Sequence, residues 1–317
     1  MPFLKWGGIE NEDIDLSQFL QTETKLDKYI VGFGMSHLVI VTGTKQSGKT
    51  SLTGNLICNF ANKGHKGLLC SFEMKNARTK NWVRMQALGA DNLNAKMLSC
   101  GKEVYYPKSE FVKEEVDKWL ENHLQVYDNS SFKLEDVSRD IKAILVNDKS
   151  IRYVILDNLM KLDNGTLNEK NEWAAQEELV KRLQVFAQKN NICIILVVHP
   201  TKVRALMRLN DIKGSGAISD AADTVIIVHR TTADFKIAAK DYFGWKADST
   251  ELSYDTLFEI AKDREFGMEG QFCGMYFCKK GKRFLNDKNE KTKFGWQKSG
   301  IQIGMTTEPV DDDELPF

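Results

Sequence analysis

Between residues 38 and 228 the chain alternates short, unbroken apolar runs with longer stretches in which apolar residues return every three or four positions. The runs at 38–41, 68–72, 124–127, 152–159, 192–198 and 224–228 have the length and composition of strands. The periodic stretches after residue 50 and at 78–88, 110–122, 134–145 and 173–189 have helical spacing, with Leu179, Leu183 and Phe186 on one face of the last. Continuously apolar strands separated by helices predict an α/β fold, a mostly parallel sheet covered by helices on both faces. Beyond residue 257 the rhythm changes to strands without long helices (257–261 and 272–278), then a basic turn and Trp296. That change predicts an antiparallel extension on one sheet edge.

Near the start, Asp13 or Asp15 is placed to cap a short helix with Leu16, Phe19 and Leu20 on its apolar side. So short a helix needs a surface to dock on, either its own domain or a neighbouring subunit. The expected organisation is a linker or docking segment at 1–28, one domain at 29–305 and an acidic tail at 306–317.

Charge and cysteine content narrow the field. Lysine plus arginine equals aspartate plus glutamate at 44 each, so a polyanionic partner has to be met by a local basic patch. Six scattered cysteines without a Cys-x-x-Cys pair argue against zinc or a disulfide framework and fit a reducing compartment. No apolar run approaches transmembrane length, and residues 1–15 carry four acids and one lysine, unlike a targeting leader. A cytoplasmic location (the host cytoplasm for a viral source) and no membrane partner are expected.

The sharpest chemical signal is Gly43-Thr44-Lys45-Gln46-Ser47-Gly48-Lys49-Thr50, followed by Ser51, between a predicted strand and a predicted helix. A glycine-rich turn in that context aims successive backbone N–H groups and a helix N-terminus at a phosphate chain. Lys49 then reaches the terminal phosphates and the Thr50 hydroxyl ligates Mg²⁺, which implies a nucleoside triphosphate, ATP by default, as ligand. The strand Tyr153-Val154-Ile155-Leu156 ends in Asp157, the Walker B arrangement of a carboxylate beside that metal. Glu73 ends the strand after the phosphate-loop helix and is placed to accept a proton from an attacking water. His199 ends another buried strand and is placed to hydrogen-bond the γ-phosphate.

After His199 comes a basic segment containing Lys202, Arg204, Arg208, Lys213, Gly214 and Gly216. Its glycines allow backbone amides close to a phosphodiester chain. Lys262 and Arg264 alternate on a later strand and share a face. They suit either a charged sheet edge or an arginine finger with a lysine partner, presented to the nucleotide of an adjacent subunit.

Together these motifs resemble the helicase domain of DnaB-type hexameric replicative helicases, in the phage primase-helicase and Twinkle branch. The pieces that match are 43–50, Ser71-Phe72-Glu73-Met74, Ile155-Leu156-Asp157-Asn158-Leu159, Val198-His199-Pro200, 211–218 running to Ala222-Asp223, and Lys262-Asp263-Arg264. They cover roughly residues 30 to 285 in the family order. The resemblance implies a RecA-like P-loop NTPase core, a homo-hexameric ring and ATP bound between neighbours. It implies Glu73 as the water-activating base, Asp157 as the Mg²⁺-linked acid and His199 as the phosphate sensor. It makes Lys262 and Arg264 the in-trans pair and Lys213, Gly214 and Gly216 a loop on single-stranded DNA. Movement 5′ to 3′ comes from the same source. No primase, zinc or helical N-terminal module accompanies these motifs, which assigns a primase or loader to a separate protein or dispenses with one.

The segment Asp311-Asp312-Asp313-Glu314-Leu315-Pro316-Phe317 resembles the acidic tip of bacterial single-stranded DNA-binding proteins, in which an aromatic anchor docks on a basic-rimmed pocket. Asp313, Leu315, Pro316 and Phe317 are thus candidate contacts to a replication partner. Two other functions fit the same motifs: a DNA-dependent ATPase of recombination or helicase loading that does not unwind, and a nucleotide-gated replication scaffold.

Overall fold

The computed structural model describes residues 14–158, 162, 172–200, 205–212, 219–291 and 293–297. Its centre is a nine-stranded sheet. In chain order the elements that build it are β3 (Leu38–Gly43), α2 (Lys49–Asn62), β4 (Lys66–Ser71), α3 (Asn76–Leu88), α4 (Glu110–Glu121), β7 (Leu124–Val126) and α5 (Leu134–Asn147). They continue with β8 (Ile151–Asp157), α6 (Glu172–Asn190), β9 (Cys193–Val197) and β10 (Thr224–Arg230). The last are α7 (Ala233–Phe243), β11 (Thr256–Asp263), β12 (Gln271–Cys278) and β13 (Arg283–Leu285). Strand order across the sheet is β13-β12-β11-β10-β3-β9-β8-β4-β7. The six strands from β10 to β7 pair in parallel, and β11, β12 and β13 extend one edge antiparallel. The expected class and edge extension are both present.

Strand alternation explains the layers. Val39, Val41, Tyr153 and Ile155 point to one side and pack with Leu52, Leu56 and Phe60 of α2, Val83 and Ala87 of α3 and Val112 and Val116 of α4. Leu38, Ile40, Val154 and Leu156 point the other way, onto Val137, Ile141 and Leu145 of α5 and Leu179 and Leu183 of α6. At Gly67 the Tyr153 ring lies where a side chain would be, 2.2 Å from an added Cβ. A larger residue there would force strand β4 off β8.

The N-terminal expectation is corrected. Asp15 does cap, but it caps a single 3₁₀ turn, Leu16–Gln18, and the chain then extends into β1 (Phe19–Leu20), paired antiparallel with β2 (Phe33–Gly34). Leu16 is exposed while Phe19 and Leu20 are buried in this chain's own core, so the three residues share no helical face. A one-turn helix pays nucleation with little return, whereas pairing with β2 satisfies the backbone. The sequence pattern gives no counterpart for the four-residue helix α1 (Asp27–Ile30), strand β2, the hairpin β5 (Leu93–Met97) and β6 (Glu103–Pro107), helix α7 or strand β13.

Candidate functional site

Register brings the motif residues to one edge of the sheet. Val228 pairs with Gly43, Val41 with Val197, Asp157 with both Val197 and Ser71. The carboxyl ends of β3, β4, β8 and β9 therefore finish level, where ligands bind in open parallel sheets. The Phe72 N–H donates to the Asp157 carbonyl (2.6 Å), which carries the chain over to present Glu73 at that edge.

Between β3 and α2 the loop turns tightly, with Ser47 N–H donating to the Thr44 carbonyl (3.2 Å). Gly43 and Gly48 sit at φ 153° and 106°, and each is crowded: an added Cβ would lie 2.4 Å from the Val228 carbonyl oxygen at Gly43 and 2.7 Å from the Phe284 ring at Gly48. Gln46, at φ 63°, takes the left-handed conformation without being glycine. Lys45 and Gln46 are exposed at the tip; Ser47, Lys49 and Ser51 are buried.

Lys49 Nζ donates to the Gly43 and Thr44 carbonyls (2.8 and 3.0 Å). Burial lowers its pKa, against the opposing charges of Asp157 and Glu73. Ser47 Oγ is buried without a hydrogen-bond partner among the described residues. A buried ammonium satisfied only by loop carbonyls, beside an orphaned hydroxyl, is a donor set matched to phosphate oxygens. Thr50 Oγ1 donates to Asp157 Oδ2 (3.3 Å). Burial, then the Glu73 charge, pushes the Asp157 carboxyl up to about 6. A buried carboxylate with one hydroxyl neighbour is a pair of oxygen donors that would suit a hard divalent cation.

Glu73 and His199 meet: His199 Nε2 lies 2.9 Å from Glu73 Oε1. Asn158, which the sequence reading passed over, joins them, its Nδ2 donating to the same Oε1 and lying 2.8 Å from His199 Nε2. Its position directly after the Walker B acid was the signal available.

Lys262 and Arg264 lie elsewhere. Asp263 pairs with Thr224, which pairs with Val39, so both basic residues stand at the amino edge of the parallel strands. Lys262 is level with Ile40 and Arg264 with Leu38, three and five residues before Gly43, so roughly 10 and 16 Å of strand separate them from the level of their own phosphate loop. Both side chains do converge, as their spacing suggested. Lys262 Nζ donates to the Ser219 and Asp220 carbonyls (2.8 and 3.1 Å), and Arg264 donates to the Asp220 carbonyl and to Asp223 Oδ1 (2.9 Å). Burial, and then the Arg264 charge, lower the Lys262 pKa. Lys202, Arg204, Lys213, Gly214 and Gly216, and the tail residues Asp313, Leu315, Pro316 and Phe317, lie outside the described residues.

A phosphate loop at the head of a parallel sheet, an acid two strands away on β8 and a second carboxylate just past the adjoining β4, all at one sheet edge, define a P-loop NTPase with the RecA-like fold, and with it nucleotide use. Solved structures of that fold are similar to this chain. One, titled as a DnaB-like replicative helicase and its interactions with primase, has TM-score 0.64 at 16% identity over 82% of this chain and 60% of its own. A KaiC-like protein from Pyrococcus horikoshii OT3 has TM-score 0.53 at 14% identity over 84% and 96%. The chain belongs to the family of the DnaB-like helicase C-terminal domain, whose model matches residues 20–286. Curated relatives include the replicative DNA helicase DnaB of Helicobacter pylori, 26% identical over 65% of this chain and 42% of its own length. Another is the probable replicative DNA helicase of Trieres chinensis, 25% identical over 65% and 46%. The chain thus spans less than half the length of these relatives.

Proposed function

We propose that this protein is an ATP-driven DNA helicase of replication that works as a ring, moving 5′ to 3′ on single-stranded DNA by its family resemblance. The observation that carries the proposal is the division of its machinery between two sheet edges. The phosphate loop, Asp157, Glu73 and His199 stand at the carboxyl edge, and Lys262 and Arg264 stand at the amino edge, beyond reach of the same nucleotide. A ring, six subunits by resemblance, brings the amino edge of one copy to the carboxyl edge of the next.

In this reading the loop 43–48, Lys49 and Ser51 would hold the triphosphate, and Thr50 and Asp157 would hold Mg²⁺, which would supply charge neutralisation for phosphoryl transfer. Glu73 takes the proton of the attacking water. The basic segment that begins after His199 is bonded at its far end, Ser219 to Asp223, by Lys262 and Arg264. Its two ends are therefore tied to one nucleotide through His199 and to a neighbour's through the basic pair. That arrangement lets bond cleavage move Lys202, Arg204, Lys213, Gly214 and Gly216 along a threaded strand.

Purified protein with ATP, Mg²⁺ and a forked duplex is expected to separate the strands and to hydrolyse ATP faster when single-stranded DNA is present. DNA-stimulated turnover without separation would instead assign a recombination or loading ATPase, and turnover indifferent to DNA a scaffold. The acidic segment is proposed to dock a replication partner, with a separate primase or loader among the candidates, since a similar solved protein is described with primase. Deleting Leu315 to Phe317 is expected to leave ATPase unchanged and to abolish that capture; undiminished capture would discard the docking role.

A further inference from the structure

We infer that Asn158 is a positioning residue for the Glu73 base, the fixed member of a three-way contact through which the placement of His199 reaches the carboxylate. The inference rests on reading Glu73 as the base and His199 as the phosphate sensor. It starts from burial: Asn158 is 1% exposed at the end of β8, whereas the Glu73 and His199 side chains are 39% and 34% exposed. Asn158 Oδ1 has no hydrogen-bond partner among the described residues, so the amide earns its place through its nitrogen. Turning the amide over would set Oδ1 against the Glu73 carboxylate, acceptor to acceptor.

The three groups cannot all be satisfied together. Glu73 Oε1, Asn158 Nδ2 and His199 Nε2 lie within hydrogen-bond distance of one another. If Nε2 carries a hydrogen toward Glu73, it meets Asn158 donor to donor; if it offers a lone pair to Asn158, it meets Glu73 acceptor to acceptor. With Glu73 ionised, as a base has to be, one edge is unfavourable in either tautomer, and the loss of one member relieves it. Asn158 is buried directly after β8 and Glu73 is the shared acceptor, so the half-exposed His199 is the member that leaves, turning its Nε2 to a γ-phosphate oxygen. Glu73 then keeps the Asn158 bond on Oε1, which fixes the carboxylate plane and leaves Oε2 to take the water proton.

A double-mutant cycle on the full chain with single-stranded DNA tests this. Asn158→Ala is expected to lower kcat about 10²-fold while KM, and the affinity for a non-hydrolysable ATP analogue, stay within about twofold. In a Glu73→Gln background, followed by single-turnover hydrolysis of labelled ATP, the same change should cost nothing more. Equal losses in both backgrounds, or a raised KM at unchanged kcat, would overturn the role of Asn158 and leave Glu73 as the base. Full turnover by Glu73→Gln alone would remove the base itself, and this inference with it. Should Asn158→Ala not fold, Asn158→Ser, which keeps a shorter donor, takes its place with a smaller loss confined to the Glu73 background.

Discussion

Glu73→Gln protein is expected to bind ATP with the affinity of the unaltered protein and to lose about 10²–10⁴-fold in hydrolysis, and strand separation with it. The substitution keeps the shape of the side chain and its Oε1 acceptor for Asn158 and His199, the two contacts the structure gives it. What it removes is the ability to accept a proton. Binding rests on other groups, the glycine loop and Lys49, which Glu73 does not touch. Nucleotide binding by a fluorescent analogue and steady-state turnover distinguish the two effects. A Glu73→Gln protein that unwinds a fork normally would show that the water is activated elsewhere.

Arg264→Ala should be comparably damaging, with about 10³–10⁵-fold lost in ATP turnover and little lost in nucleotide affinity. The reason is its place at the amino edge, away from its own phosphate loop. In a protein that stays folded, a direct effect on hydrolysis by a residue so placed arises across a boundary between copies. Within its own chain Arg264 bonds Asp223, whose Oδ2 accepts from the Leu38 N–H (2.8 Å). The variant therefore also loosens the start of β3 and β10, and its melting temperature has to be measured alongside. A stable Arg264→Ala protein with unaltered DNA-stimulated turnover would leave the guanidinium a purely structural role.

Much of the fold was legible because parallel strands buried on both faces read as unbroken apolar runs, and the helices over them keep a clear period. The phosphate loop and Asp157 were legible because their chemistry is local in sequence. What escaped is what depends on packing or register. Phe19 and Leu20 look like one side of a helix until β2 arrives to pair with them. Helix α7 carries apolar residues on several sides, with Ile237 exposed and only Phe235 and Ala239 buried. Yet Thr232 before it and Gly244 after it were start and stop signals that pattern alone could have used. Asn158 escaped because its importance lies in two partners, 85 and 41 residues away in sequence, that only the sheet brings together. The antiparallel edge was legible, but the level of Lys262 and Arg264 on it was not, since that follows from the register of β11 against β10.

The most direct test mixes two inactive proteins. Lys49→Ala protein lacks a working phosphate loop and keeps Arg264; Arg264→Ala protein has the reverse defect. If the triphosphate lies between copies, some junctions in a mixed assembly pair an intact loop with an intact arginine. DNA-stimulated ATP turnover is then expected to reappear on mixing, though each protein alone shows none. Mixed assemblies that form, as seen by native mass, and yet stay as inactive as their components would contradict a nucleotide shared between neighbours.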